Sequence, residues 1–251
     1  MTKTEIIFQK ELNLIHDQKI RQFVIECFDK LCPNYFWTCP CSTSGKYHPQ
    51  VALGVGGLVR HTKLAVWWGL ELINALRKSP GIKNIPSDKL IDETVATLLL
   101  HDMVKNGKGL NAQGYPLESG VTGTHGVALA NKIFRNHDIP ALDSDPFDRI
   151  YKGIAGHMGI WTTDKRYRPN NMVRPMIQAF AQLIHLADYC ASRKVDEIYH
   201  KLEQERTNDL NCETATQIAE KSKNRITQSP PCPSIRKNFN VTDRAQDKES
   251  Q

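Results

Sequence analysis

The sequence predicts an all-α fold, a helical bundle followed by a polar, disordered tail, and three observations carry that expectation. Apolar residues recur at the i, i+3, i+4 spacing of amphipathic helices along most of residues 1–205. Runs with the period-2 alternation of strands are hard to find. Past about Arg206 the apolar density falls, and the end of the chain, QSPPCPSIRKNFNVTDRAQDKESQ, has no apolar face to dock. One domain over 1–205 and a largely disordered tail over 206–251 follow.

The elements can be justified in order. Residues 18–31 (QKIRQFVIECFDKL) put Ile20, Phe23, Val24, Cys27, Phe28 and Leu31 on one stripe, and Pro33 closes the helix. Residues 36–55 read as an ordered loop rich in Ser, Pro and Gly. A second helix begins after Gly56-Gly57, runs through LVRHTKLAVWWGLELINALRK to about Lys78, and stops at Ser79-Pro80-Gly81. Ser87 is suited to cap a third, DKLIDETVATLLLHDMVK, ending near Asn106-Gly107. Further helices fit 123–136, 145–157 and 174–204, with Pro146 after Asp145 as a start signal. No internal repeat is present.

Composition bounds the function. Thirty-three Lys+Arg against 27 Asp+Glu give a net charge of +6. That suits a small anionic ligand such as a nucleotide and is too weak to signal a nucleic-acid binder. The opening MTKTEIIFQKELNL lacks the apolar core of a signal peptide, and no apolar run approaches the ~20 residues of a membrane span. A soluble, cytoplasmic chain without a membrane partner is expected, and an oligomer stays open. The seven cysteines are odd in number and lack the spacing of a disulfide framework. Cys39 and Cys41 flank one proline, unlike the C-x-x-C of a zinc knuckle, and Cys27 fits a buried stripe, so reduced thiols are expected.

Three His-Asp pairs occur, where chance among nine His and fifteen Asp predicts about half of one. His16-Asp17 precedes a helix and reads as a cap, and His137-Asp138 lies in a polar turn before Pro140. His101-Asp102 differs, because it emerges from the apolar run TLLL. Four more residues share that setting: His61 in GGLVRHTKLAV, His125 in GTHGVALA, His157 in GIAGHMGIW and Asp188 in LIHLADYCA. An unpaired ionised carboxylate is costly to bury, so each Asp here needs a cation or strong donors. A shared divalent metal satisfies the whole set, and imidazole with carboxylate suits Mn, Fe, Co, Ni or Zn. Glycines beside His125 and His157 (Gly123, Gly126, Gly156, Gly159) are expected to leave room for ions and substrate.

The order H…HD…H…H…D resembles the HD-domain superfamily of metal-dependent phosphohydrolases over roughly residues 45–195. HDMVK resembles the family's HD-x-x-K form, and GGLVRHT its first-histidine helix. SGKYHP, GHMGIW and DYCASRK are similar to segments of a group of phage and bacterial HD proteins. The resemblance implies that His61, His101, Asp102 and Asp188 bind one metal. In two-metal members Asp102 would bridge, with His125 and His157 on the second ion. In single-metal members those histidines contact the substrate phosphate or the attacking water. Coordination brings the pKa of water down toward about 7, so the implied chemistry is attack of a metal-bound hydroxide on a nucleotide or short oligonucleotide phosphoester. Lys105 is the best-placed catalytic cation beside Asp102. The same ligand set also occurs in HD-fold di-iron oxygenases, and a non-catalytic nucleotide sensor is a third class.

Other positions read two ways. Lys46 and His48 could reach a substrate phosphate or sugar, or form an ordered turn. Arg193 and Lys194, about one and a half turns past Asp188, could meet an anion or cover the helix face. Trp161 could stack a base or fill the core. His185, three residues before Asp188, reads as a hydrogen-bond support for that carboxylate.

Overall fold

A computed structural model describes residues 1–42, 45, 47–81, 88–105, 109–117 and 122–193. The chain divides into a unit Met1–His200 and a second, Lys201–Gln251, which lies outside the described residues together with the predicted tail. The expected cap Ser87 and the continuation of the last helix over 194–204 also lie outside them.

The described residues are all-α. Eight helices are found among them: α1 (Lys3–Ile7), α2 (Gln9–Leu12), α3 (Gln18–Leu31), α4 (Gly57–Arg77), α5 (Asp88–Leu100), α6 (His125–Phe134), α7 (Ser144–Gly156) and α8 (Pro175–Ala191). Among the described residues, β pairing is limited to a bridge between Leu110 and Pro116.

The helices follow from local chemistry. Asp17 caps α3 by accepting the N–H groups of Lys19 and Ile20, as the His16-Asp17 reading expected. The first two helices were not foreseen, although Thr2 and Glu5 form a capping box that the T-x-x-E spacing could have announced. Phe8, at their junction, drops into the core 5.3 Å from the Phe28 ring and 6.1 Å from Trp37. The 36–55 loop contains a 3₁₀ turn at each end, Asn34–Trp37 and Gln50–Ala52. Helix α7 begins a residue before Asp145 rather than with Pro146 in first place. Helix α6 is shorter than 123–136 because a 3₁₀ turn, Thr122–Thr124, leads into it.

The largest departure is at the end of α5. The sequence predicts a helix as far as Lys105, but it ends at Leu100, and His101 and Asp102 lie in the turn that follows. The His101 ring bonds back to the Leu98 carbonyl, and the Tyr35 hydroxyl both donates to the Lys105 carbonyl and accepts its N–H. These side-chain bonds replace the helical ladder and turn consecutive residues into one space.

Helix α5 is central, packing against α3, α4, α7 and α8. Helix α4 meets it closely because Gly69 has no side chain, and a Cβ there would stand 2.5 Å from a Leu98 methyl. Two carboxylates on α5 are buried and satisfied by protein. Asp92 accepts the backbone N–H groups of His16 and Asp17, pinning the start of α3. Glu93 receives a two-pronged pair from Arg149 of α7, at 2.5 and 2.6 Å. On the outside, the Arg60 guanidinium donates to the carbonyls of Val51, Leu53 and Val55, tying the loop to α4.

We expect Arg149→Met to cost about 3–5 kcal/mol, because it strands Glu93 as a buried charge, while Glu93→Leu with Arg149→Met recovers most of the loss. Urea unfolding of both variants checks this. A single-variant loss under about 1 kcal/mol would mean that the pair is effectively solvated.

Candidate metal centre

Five helices each bring one end or face to a common space. Helix α4 contributes His61, and the turn after α5 contributes His101 and Asp102. His125 is the first residue of α6, His157 caps α7, and Asp188 sits in the last turn of α8. His61, His101, Asp102, His125 and His157 are all buried.

The six side chains form two groups joined by one carboxylate. In the first, His61 Nε2 lies 3.1 Å from Asp188 Oδ1, 3.3 Å from His101 Nε2 and 3.6 Å from Asp102 Oδ2. His101 Nε2 is 3.5 Å from Asp188 Oδ1 and 3.7 Å from Asp102 Oδ2. In the second, Asp102 Oδ1 lies 2.9 Å from His125 Nε2 and 3.5 Å from His157 Nε2, and those two nitrogens are 2.8 Å apart. Asp102 therefore gives one oxygen to each group.

The second nitrogen of three of these rings decides what the first can do. His101 Nδ1 is 2.6 Å from the Leu98 carbonyl, His125 Nδ1 2.5 Å from that of Thr122, and His157 Nδ1 2.7 Å from that of Ile154. A carbonyl only accepts, so each Nδ1 must carry the proton and donate. In the neutral ring Nε2 is then a bare lone pair. Bare lone pairs and carboxylate oxygens converge at about 3 Å, and acceptors cannot satisfy one another. A cation between them does. Backbone-anchored Nδ1–H groups are also the usual outer support of metal-binding histidines. The buried histidines and aspartates are a site that fits a metal ion.

The charges of the site act on each of its groups. Burial alone would raise the Asp102 carboxyl, but Lys105 and the neighbouring His101, His125 and His157 hold it well below the usual carboxylate range. Asp188 is likewise pushed up by burial and pulled well down by His101 and His61. Burial opposes charging His101, yet Asp102 and Asp188 raise its basicity. His157 goes the other way, because burial and the neighbouring His125 and His101 outweigh the pull of the Asp102 charge. Lys105 is buried, with Nζ 3.3 Å from Asp102 Oδ2 and donating to the Cys41 carbonyl at 2.8 Å.

A pocket of about 430 Å³ opens onto these groups, and His48, His61, Asp102, Lys105, His125 and Asp188 are among its lining residues. Arg193 reaches its mouth, where the guanidinium lies 4.4 Å from the Tyr189 ring centre and 5.2 Å from that of Tyr47. Trp161 is half exposed at the same mouth, parallel to Tyr189 with centroids 6.1 Å apart, so it is not a core residue. Burial and the neighbouring His61 and Lys105 lower the pKa of His48 to about 4. Lys46 and Lys194 lie outside the described residues.

Two expectations need correction. His185 does not hold Asp188: its Nδ1 donates to the His157 carbonyl at 2.6 Å, and its ring meets Trp161 edge-on. Helical spacing put it on the Asp188 face, but the turn after α7 supplied a nearer acceptor. The glycines make room for protein rather than ligand. A Cβ on Gly126 would meet the Ile154 carbonyl at 2.6 Å and the His157 ring at 2.8 Å, so its absence lets α6 and α7 bring their histidines together. Tyr47 and Tyr189 were missed, although each adjoins a position singled out in the sequence.

Comparison with protein-family models, curated proteins and solved structures found no match for the chain. No helix among the described residues is long and apolar enough to cross a membrane.

The geometry predicts metal number. The six residues of the centre should hold about two ions, and His125→Ala or His157→Ala should each bind about one ion fewer per chain than wild type, with the His61 group still loaded. Elemental analysis of the variants beside wild type checks this. An unchanged ion count in both variants would instead make His125 and His157 substrate contacts.

Proposed function

We propose that this chain is a metal-dependent phosphohydrolase of the HD-domain type, acting on a nucleotide or short oligonucleotide phosphoester. One observation carries the reading: the two oxygens of a single buried carboxylate, Asp102, are divided between two sets of histidine nitrogens. That is the arrangement a bridging ligand needs, and it matches what the H…HD…H…H…D order implies. His61, His101, Asp102 and Asp188 would hold one divalent ion, and Asp102, His125 and His157 a second.

When bound, such ions supply an acidified water and neutralise charge on phosphoryl oxygens. The chain's own residues do the rest. Lys105, fixed between the Asp102 carboxylate and the Cys41 carbonyl, offers a positive charge to the phosphoryl group without having to reorganise. Asp102 keeps Lys105 and the ligands in register. Arg193, braced between Tyr47 and Tyr189, meets the outer part of an anionic substrate, and Trp161 with Tyr189 offers flat faces to a base. His48 faces the pocket as a neutral ring, able to exchange hydrogen bonds with a phosphate or sugar. Lys46 and Lys194 remain candidates for the same role. Cys27 and Cys32 are reduced thiols, which fits a reducing, cytoplasmic setting.

The test is a panel of mono-, tri- and cyclic nucleotides and short RNA ends, assayed with Mn, Co, Ni, Fe and Mg, with and without oxygen. Turnover in the absence of oxygen supports hydrolysis, whereas oxygen consumption coupled to turnover replaces this reading with the di-iron oxygenase. Asp102→Ala should abolish turnover and strip most of the metal. Lys105→Met should lower kcat by about 10²–10³-fold with metal content unchanged, since one charge on the transition state is lost. Native turnover and metal content in Asp102→Ala would remove the site from contention.

A further inference from the structure

One further ligand-like group overlaps the centre at a single residue, His61. Cys41, His48 and His61 bring one donor atom each to within 4.8 Å of one another. Cys41 is fully buried, and the His48 and His61 rings meet edge-to-face at 5.7 Å. His61 differs from its partners in the centre. The rings of His101, His125 and His157 each place Nδ1 on a backbone carbonyl, but His61 Nδ1 is buried without a hydrogen-bond partner. His48 Nδ1 is likewise buried and unpartnered. Two orphaned imidazole nitrogens on adjacent rings beside a buried thiol need an explanation, because burying an unsatisfied polar group costs about 1–3 kcal/mol.

We propose that Cys41, His48 and His61 form a further metal site, for a zinc-class ion, in the wall of the pocket. Sulfur with imidazole nitrogen favours Zn, Co or Cu over the hard, oxygen-seeking ions. As the ion binds, the thiol proton of Cys41 and the Nδ1 proton of His61 pass to solvent, sulfur–metal and nitrogen–metal bonds form, and the His61 ring, as an imidazolate, is shared with the main centre. Two ligands of a tetrahedral zinc stand about 3.5 Å apart, so the side chains draw together slightly as the ion enters. The charge of Lys105 does not oppose it strongly, since Asp102 pairs with that ammonium at 3.3 Å. The site has a consequence for the neighbouring chemistry. The backbone carbonyl of Cys41 holds Lys105 Nζ at 2.8 Å, so an ion on Cys41 fixes the peptide that positions the lysine. This proposal shares the His61 ring with the main centre and adds two donors of its own, Cys41 and His48.

The experiment is a cobalt(II) titration of the metal-free full-length protein, read by absorption. Cobalt bound to nitrogen and oxygen gives weak visible bands, whereas a thiolate ligand adds a strong near-ultraviolet charge-transfer band. Wild type should show both. Cys41→Ser should lose the charge-transfer band, keep the visible bands and bind about one ion fewer per chain. His48→Ala, at a half-buried loop position, should weaken the band without loss of fold, which circular dichroism verifies. If wild type at saturating cobalt gives no charge-transfer band, or Cys41→Ser retains it, the proposal is overturned. Loss of the visible bands as well would instead count against the main centre.

Discussion

Groups that can only accept hydrogen bonds face one another in a buried space, and the rest of the structure exists to keep them there. The nitrogen lone pairs of His125 and His157 stand 2.8 Å apart with a carboxylate oxygen beside them. Nothing local favours this arrangement. It is sustained because each ring is anchored by its other nitrogen to the backbone carbonyl three residues before it, and because the helices that carry the rings are locked by apolar packing. The core supplies the free energy that holds like groups together, and the held groups supply affinity for positive charge. Stability and function are thus opposed at one point of the molecule.

The same carboxylate ties the two halves of the site together electrostatically. Asp102 contacts both histidine groups and Lys105, so its charge state is the quantity on which every neighbour depends. The turn carrying it is held at its far end by Tyr35, whose hydroxyl serves both backbone groups of Lys105. A residue outside the pocket's chemistry therefore sets the geometry of the residues inside it.

Much of this was legible in the sequence, and the exceptions are instructive. The helical class followed from periodicity, and the six ligand candidates followed from polar residues placed where apolar helices end. The argument that singled out Asp188, a carboxylate amid apolar neighbours, applies equally to Asp92 and Glu93 in LIDETVATLLL. Both are indeed buried, yet one is satisfied by two backbone N–H groups and the other by Arg149. Sequence reveals that a buried charge needs a partner but not whether that partner is a metal or a distant part of the chain. The end of α5 was misplaced for a related reason. Propensity favoured continuing through HDMVK, and the turn is imposed by side-chain bonds, of His101 to Leu98 and of Tyr35 to Lys105, that no local pattern announces. His185 went to a carbonyl that only the folded turn brings near.

Arg60 has a mechanical meaning beyond its three hydrogen bonds. It precedes His61 on α4 and clasps the carbonyls of Val51, Leu53 and Val55 in the preceding loop. Loop and helix are thereby fused into one rigid lever arm, and a displacement of these loop residues would drag the His61 ring with it. The other wall of the pocket carries no such clasp among the described residues: Trp161 stands on the turn after α7 and is half exposed, and Tyr189 lies parallel to it in the last turn of α8.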